Sequence, residues 1–391
     1  MLQFEIVSLS NKLRKKLFIV VNELNFFLSH RLPVAEAALA EGYAVTVGYG
    51  DLGGADCSML TALGIRSHLI PMSRCGRNPF EEIRTFYALW RVLVKLKPDL
   101  VHFVTIKPYL YGGIAARLTR APGVVSAVAG LGNVFIQKNW KGRFFRALLF
   151  PLYLPAFGHP NQCVIVHNDD DSKFLVAWGV LDPQKVRLLR GSGVCLAKFS
   201  QFDEPEGVPT ICFAARLLRE KGVHDFVSAA KLLHKRGTHA KFWLAGDVDS
   251  KNATGLTEQD LRDIREEGTV ELLGYQRDIP GLYARSHIVC LPSFYGEGIP
   301  KSLIEAAAAS RAIVTTDHPG CRDAIIPNVS GLLVPIKNPE KLADALQWLI
   351  EHPQERVAMG KAGRELAERE FTIERIVREH LDIYRELLNG G

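Results

Sequence analysis

Two short segments carry the residue types suited to a phosphorylated, hydroxyl-rich ligand. The first reads Ala215-Arg216-Leu217-Leu218-Arg219-Glu220-Lys221-Gly222. Arg216 offers a planar guanidinium that can fork onto a phosphate, and Lys221 a mobile point charge. The second reads Glu297-Gly298-Ile299-Pro300-Lys301-Ser302-Leu303-Ile304-Glu305. Pro300 suits a first helical turn, where its missing N–H costs no hydrogen bond. Gly298 leaves room for close approach of a ligand, and the backbone N–H groups near Ser302 and Leu303 lie where a helix start attracts a diphosphate. Glu297 then sits in the loop before the helix and Glu305 just over a turn inside it. One carboxylate can hold sugar hydroxyls and the other a ribose diol. Both segments also admit a plainer reading, as solvent-facing loop charges and a helix with an acidic start.

These segments need a scaffold, and the surrounding pattern supplies one. Short apolar runs at 17–21, 44–48, 100–104, 124–129 and 163–166 alternate with amphipathic stretches such as 32–41 and 80–96. A second series, 210–214, 241–245, 270–273, 288–291 and 312–315, is separated by helical segments at 222–235, 257–267 and 302–309. Strand, long crossover, strand is the signature of a parallel sheet with helices on both faces. The expected class is α/β, with two Rossmann-like domains: residues 1–190, then a linker at 191–209, then 210–370. The strongly helical tail is long enough for two or three helices, and 371–391 is a helix that can cross back to the first domain. In doubly wound sheets ligands collect at the carboxyl ends of strands, which is where both segments fall.

The first half offers further candidates at strand ends. Asn25, Ser29, His30 and Arg31 are polar or basic at the transition that follows the first strand. Thr105 and Lys107 follow the strand at 100–104, and Lys107 is placed to meet an acceptor phosphate, whereas His102 lies within that strand and reads as packed. Asp169-Asp170-Asp171 reads as a helix start. Between 138 and 157, Lys138, Lys141, Arg143 and Arg146 interleave with Trp140, Phe144 and Phe145. Such a mixture can lie on an anionic bilayer surface, or pack on its own domain.

With 391 residues the chain is long enough for two domains. Apolar residues make up 47% and charged residues 23%, which excludes a disordered chain. Seven cysteines without a Cys-x-x-Cys pair argue against a disulfide scaffold or zinc knuckle and fit a reducing, cytoplasmic setting. The basic cluster at 12–16 superficially suggests a leader, but the apolar run after it is too short and reads as a buried strand. No stretch reaches the roughly 20 apolar residues that span a bilayer. A formal net charge of +6 suits anionic ligands and acidic surfaces, and no recognised nucleic-acid motif is present.

On these residues the chain resembles the retaining glycosyltransferases of family 4, which have the GT-B fold, two Rossmann-like domains facing across a cleft. Glu297 and Glu305 match the family's E-x7-E motif, and Arg216 and Lys221 its donor-site arginine and lysine. Gly191-Ser192-Gly193-Val194 resembles its interdomain linker, although Cys195 stands where an acidic residue is common. The resemblance implies that Glu305 binds a ribose, that Glu297 contacts donor sugar hydroxyls, and that Arg216 and Lys221 stabilise the departing diphosphate. No metal is then required, and Asp247-x-Asp249, which resembles the metal-binding pair of the other main glycosyltransferase fold, is not needed for a clamp. Two departures stand out. The 22–31 loop lacks the family's glycines, and 128–135, where many members carry a histidine, has none; Gly130 and Gly132 permit a tight loop there. The pattern is similar to bacterial enzymes extending undecaprenyl-diphosphate-linked saccharides. It implies no cofactor, a UDP-sugar donor of a hexose or N-acetylhexosamine, a polyprenyl-diphosphate-linked acceptor, and a peripheral position on the inner face of the cell membrane. A soluble acceptor, a non-enzymatic nucleotide-sugar-binding module and a sugar-nucleotide epimerase remain as alternatives.

Overall fold

Residues 14–73, 78–132, 140–199, 203–249 and 252–390 are described by a computed structural model. The first strand, β1 (Lys16–Glu23), is apolar through its middle and buried on both faces, as a central parallel strand must be. It is followed by β2 (Ala44–Asp51), β3 (Arg66–Leu69), β4 (Leu100–Val104), β5 (Gly123–Val128), β6 (Gln162–Val166) and β7 (Val186–Leu188). These pair in the order β3-β2-β1-β4-β5-β6-β7, all parallel. Leu24, Phe27, Val34 and Ala38, from helices Leu24–His30 and Leu32–Ala40, join Leu381, Ile383, Tyr384 and Leu387 of the last helix, Ile373–Asn389, in the core on one side. On the other side the core takes Leu89 and Leu93 from Pro79–Leu96, Ala115 and Ala116 from Gly113–Thr119, Tyr153 from Trp140–Ala156, and Leu175 from Asp169–Ala177. Asn78 caps the longest of these helices by accepting from Phe80 N at 3.1 Å.

The second sheet comprises β8 (Thr210–Ala214), β9 (Lys241–Ala245), β10 (Glu271–Gly274), β11 (Ile288–Leu291), β12 (Ala312–Thr316) and β13 (Gly331–Val334). Its order is β10-β9-β8-β11-β12-β13, again all parallel. The chain divides into two compact units, Met1–Leu189 with Ile376–Gly391, and Arg190–Arg375. In each sheet the strand order reverses once, between β1 and β4 and between β8 and β11. The loops leaving those strands at their carboxyl ends diverge to opposite faces and leave a crevice between them.

Candidate active site

In the second unit both chemically loaded segments leave the strands that flank the reversal. Arg216 and Lys221 follow β8; Glu297 and Glu305 follow β11. Residues Arg219–Lys221 form one turn of 3-10 helix, and Gly222 then adopts a left-handed conformation with φ of 80° before helix Val223–Lys235 begins. A Cβ at Gly222 would overlap the Pro292 carbonyl oxygen, so glycine lets the two loops close on each other. Phe294 N donates to Glu220 O at 2.8 Å and Ser293 Oγ to the same oxygen at 3.3 Å. Thr316 Oγ1, at the end of β12, fixes the loop from behind by donating to Ser293 O.

That closure brings Lys221 Nζ onto Glu297 Oε1. Lys221 is buried, its ammonium lies 5.7 Å from the Tyr295 ring centroid, and Ser293 Oγ donates to the same Glu297 oxygen at 3.4 Å. Arg216 remains half exposed and donates from Nη1 to Asp249 Oδ2 at 2.8 Å. Asp249 belongs to the Asp247-x-Asp249 pair that the sequence reading set aside as a metal site; it is the counter-ion of Arg216, a role the spacing did not suggest. Of the four expected groups, Lys221 and Glu297 thus pair with each other, while Arg216 pairs with Asp249 and Glu305 with Lys301.

Glu305 lies one turn into helix Lys301–Ala308, 3.7 Å from Lys301 Nζ. Burial pushes its carboxyl above the usual carboxylate range, against the pull of Lys301. Pro300 occupies the N-cap, and no side chain among the described residues caps this helix. Ser302 is half-buried there, with its carbonyl accepting from Tyr283 Oη at 3.2 Å. Leu303 corrects the sequence expectation: its N–H donates to Pro300 O at 3.1 Å and its side chain is fully buried, so it holds the helix start together and offers no free donor. Gly298 is buried beneath the next loop, where a Cβ at Gly320 would overlap its carbonyl oxygen.

In the first unit, Asn25 is exposed, and Ser29 Oγ donates back to Asn25 O at 2.9 Å. His30 stacks on Phe26 at 4.2 Å between ring centroids and meets Ser29 Oγ through Nδ1 at 2.6 Å. Arg31 is a second correction. It is buried, donates to His30 O at 3.0 Å and lies 3.5 Å from His167 Nε2. Burial lowers its pKa to about 10. Placed between two helices that pack on the sheet, it is a core residue that presents no guanidinium to a ligand. His102 is packed as expected, with Nδ1 2.6 Å from Tyr384 Oη.

Thr105 is the unusual residue of this half. It directly follows β4 with φ of 74°, a left-handed conformation that a β-branched side chain rarely adopts. Its hydroxyl is buried without a hydrogen-bond partner among the described residues, and so is Asn22 Oδ1 at the end of neighbouring β1. Asn22 is a further candidate that the sequence reading did not single out; its position at the end of β1, beside the strand reversal, was the available signal. Lys107 is paired, with Glu82 and with Ser73 Oγ at 3.2 Å, rather than open to an acceptor phosphate. Gly130 and Gly132 have φ of 108° and 74°, the tight loop expected. Of the segment read as membrane-facing, Trp140 and Phe144 are strongly exposed, Arg143 is exposed, and Arg146 lies 6.0 Å from the Phe174 ring centroid. Lys138 and the side chains of Lys141 and Phe145 lie outside the described residues.

Comparison with known proteins gives this geometry a family. The family model described as "Glycosyl transferases group 1" matches residues 197–366, and "Glycosyl transferase 4-like" matches 16–154. The chain is 29% identical over 315 residues to the N,N'-diacetylbacillosaminyl-diphospho-undecaprenol alpha-1,3-N-acetylgalactosaminyltransferase of Campylobacter jejuni, covering 77% of this chain and 81% of that protein. It is 23% identical over 295 residues to the UDP-Gal:alpha-D-GlcNAc-diphosphoundecaprenol alpha-1,3-galactosyltransferase of Escherichia coli, covering 72% and 74%. Among solved structures, Anabaena HepE in complex with UDP-glucose superposes with a TM-score of 0.73 at 18% identity, covering 95% of this chain and 99% of that one. The chain belongs to the group 1, family 4-like glycosyltransferases and has their GT-B fold.

Proposed function

We propose that this protein is a retaining, metal-independent glycosyltransferase that moves a hexose or N-acetylhexosamine from a UDP-sugar to a polyprenyl-diphosphate-linked saccharide during cell-surface glycan assembly. The observation that carries the reading is the largely buried Lys221–Glu297 pair between the segments that leave β8 and β11, the same two segments that carry Arg216 and Glu305. Both relatives act, by name, on diphospho-undecaprenol-linked sugars, which supports the acceptor class. HepE was solved with UDP-glucose, in keeping with a UDP-sugar donor.

In this reading Glu305 accepts from a ribose hydroxyl of the nucleotide, and Glu297 accepts from a hydroxyl of the donor sugar. The diphosphate lies against Lys221, Arg216 and the backbone near Ser302. When the bond from the anomeric carbon to the diphosphate oxygen breaks, negative charge grows on the leaving group. The two cations are already in place to stabilise it, which is the condition under which such groups lower a barrier most. The acceptor hydroxyl attacks from the face the diphosphate leaves, and its proton passes to a diphosphate oxygen. Thr105, Gly130 and Gly132 lie on the acceptor side with Asn22. The segment 138–157 rests on the inner face of the cell membrane, where a polyprenyl carrier presents its head group.

The test is nucleotide release from a panel of UDP-, GDP- and ADP-sugars, each with and without a polyprenyl-diphosphate-sugar extract, with products weighed by mass spectrometry. One UDP-sugar consumed only with the lipid, and a matching mass gain on the lipid, is the expected outcome. Transfer to a water-soluble acceptor, or interconversion of the donor without release, refutes it.

A further inference from the structure

Helix Pro79–Leu96 has two apolar faces. One, with Leu89 and Leu93, is in the core. The other carries Phe80, Ile83, Tyr87, Trp90 and Val94, which are 82%, 65%, 52%, 36% and 46% exposed. Steps of three and four residues place them in one stripe along the helix. A stripe of this size on a water-facing helix is unfavourable unless something covers it.

The charges beside it say what. Exposed Arg84 and Arg91 flank the stripe, with Lys95 at the last turn, and Arg91 lies 5.8 Å from the Tyr87 ring centroid. Of the two acidic residues on the helix, Glu81 and Glu82, the second is taken up by Lys107. Against exposed Arg84, Arg91 and Lys95 the helix exposes the single carboxylate Glu81, so a second copy of the helix would bring an excess of like charge to the flanks of the seam. A bilayer with anionic headgroups answers both features: rings and aliphatic groups enter the interface while the guanidinium groups stay among the phosphates. The surface continues sideways. Helix Gly113–Thr119 packs on Pro79–Leu96 and in turn on Trp140–Ala156. It exposes Leu118 with Arg117, and the helix beyond it exposes Trp140, Phe144 and Leu148 with Arg143 and no acidic residue.

We infer that Pro79–Leu96 is the principal membrane-docking helix of this protein, seating its outer apolar stripe in the interface of an anionic bilayer. The inference deepens the membrane-surface reading above and rests on it. The experiment uses the full chain, sedimented with vesicles of phosphatidylcholine alone or mixed with phosphatidylglycerol. The mixed vesicles should bind it, and the Phe80→Ser, Tyr87→Ser, Trp90→Ser triple variant should lose more than about tenfold in partitioning. Arg84→Gln and Arg91→Gln should each cost about fivefold, and added salt should weaken binding. Unchanged binding of the triple variant overturns the inference. So does a wild-type dimer that the triple variant turns into a monomer, which would assign the stripe to a second copy. Protection of the fold against heat by a UDP-sugar is measured without vesicles on the same samples: lost docking variants that keep it leave the donor reading intact, and its absence in the wild type counts against the donor reading alone.

Discussion

Replacing Lys221 with Met tests the pair on which the site is built. Methionine keeps most of the apolar stem and removes only the ammonium. Lys221 and Glu297 side chains are 8% and 18% exposed, so the carboxylate left behind is largely cut off from water. Removing one partner of a fully buried pair costs about 3–5 kcal/mol, and of an exposed pair about 0.2–1 kcal/mol. With partial access on the glutamate side and the Ser293 hydroxyl at 3.4 Å, about 2 kcal/mol is expected. For a unit of this size that lowers Tm by roughly 4–8 °C. Glu297→Gln should do similar damage by stranding the buried ammonium. The double variant Lys221→Met, Glu297→Gln leaves no uncompensated charge and should recover to within about 1 kcal/mol of the wild type, a strongly non-additive cycle. Scanning calorimetry and urea unfolding measure all four proteins. Additive losses, or single variants as stable as the wild type, would refute the reasoning. Under the proposed function activity should not be rescued: each variant, the double included, should lose about 10²–10³ in turnover, the size of one removed transition-state contact.

Gly222→Ala should destabilise by about 2 kcal/mol or more, because it combines left-handed strain with overlap on the Pro292 carbonyl; wild-type stability and donor KM together would show that the loops do not need this apposition. Glu305→Ala should mainly weaken nucleotide binding while Arg216→Ala mainly lowers turnover, so calorimetric titration and steady-state kinetics that find unchanged donor parameters in both remove the site assignment. Burial, reinforced by Arg31, holds His167 down to about 4 and His380 to about 3, below an ordinary histidine at 6.5. These imidazoles fold neutral, so their contribution is complete above pH 6.5 and is lost as pH falls toward 4, with His167 alone accounting for about 2 kcal/mol by pH 5. Urea midpoints of the first unit that stay flat between pH 7.5 and 5 would contradict this.

The central strands were legible because each is a mostly apolar run, the mark of burial on both faces. Runs 100–104, 210–214, 241–245 and 288–291 coincide with β4, β8, β9 and β11. The strands that went unseen, β3, β7 and β13, lie at sheet edges, are three or four residues long and carry mixed burial. Arg66-Ser67-His68-Leu69 has no pattern to read because one side of it faces no neighbouring strand. Arg216, Lys221, Glu297 and Glu305 were legible from type and from their place after a strand. Their partners were not. Asp249 is 33 residues from Arg216, and only the pairing of β8 with β9 brings the two loops together. Arg31 misled in the opposite direction, since a charged residue at a strand-to-helix transition is usually wet, and its burial depends on His167 and on packing that no local pattern announces.

The first unit is not finished by its own sequence. Leu381, Ile383, Tyr384 and Leu387 complete one of its two cores, Tyr384 Oη meets His102, and Leu387 O accepts from Asn161 Nδ2 at 2.8 Å. A ribosome delivers these residues only after the whole of Arg190–Arg375, a delay of roughly 10–40 s at 5–20 residues per second. Throughout that interval the nascent first unit carries an open apolar seam beside β4 and β5, while the second unit already has every strand it needs. The unit synthesised first is therefore the one that must be guarded longest, and a stop codon that removes only the final helix should harm the N-terminal half of the protein rather than the half it follows.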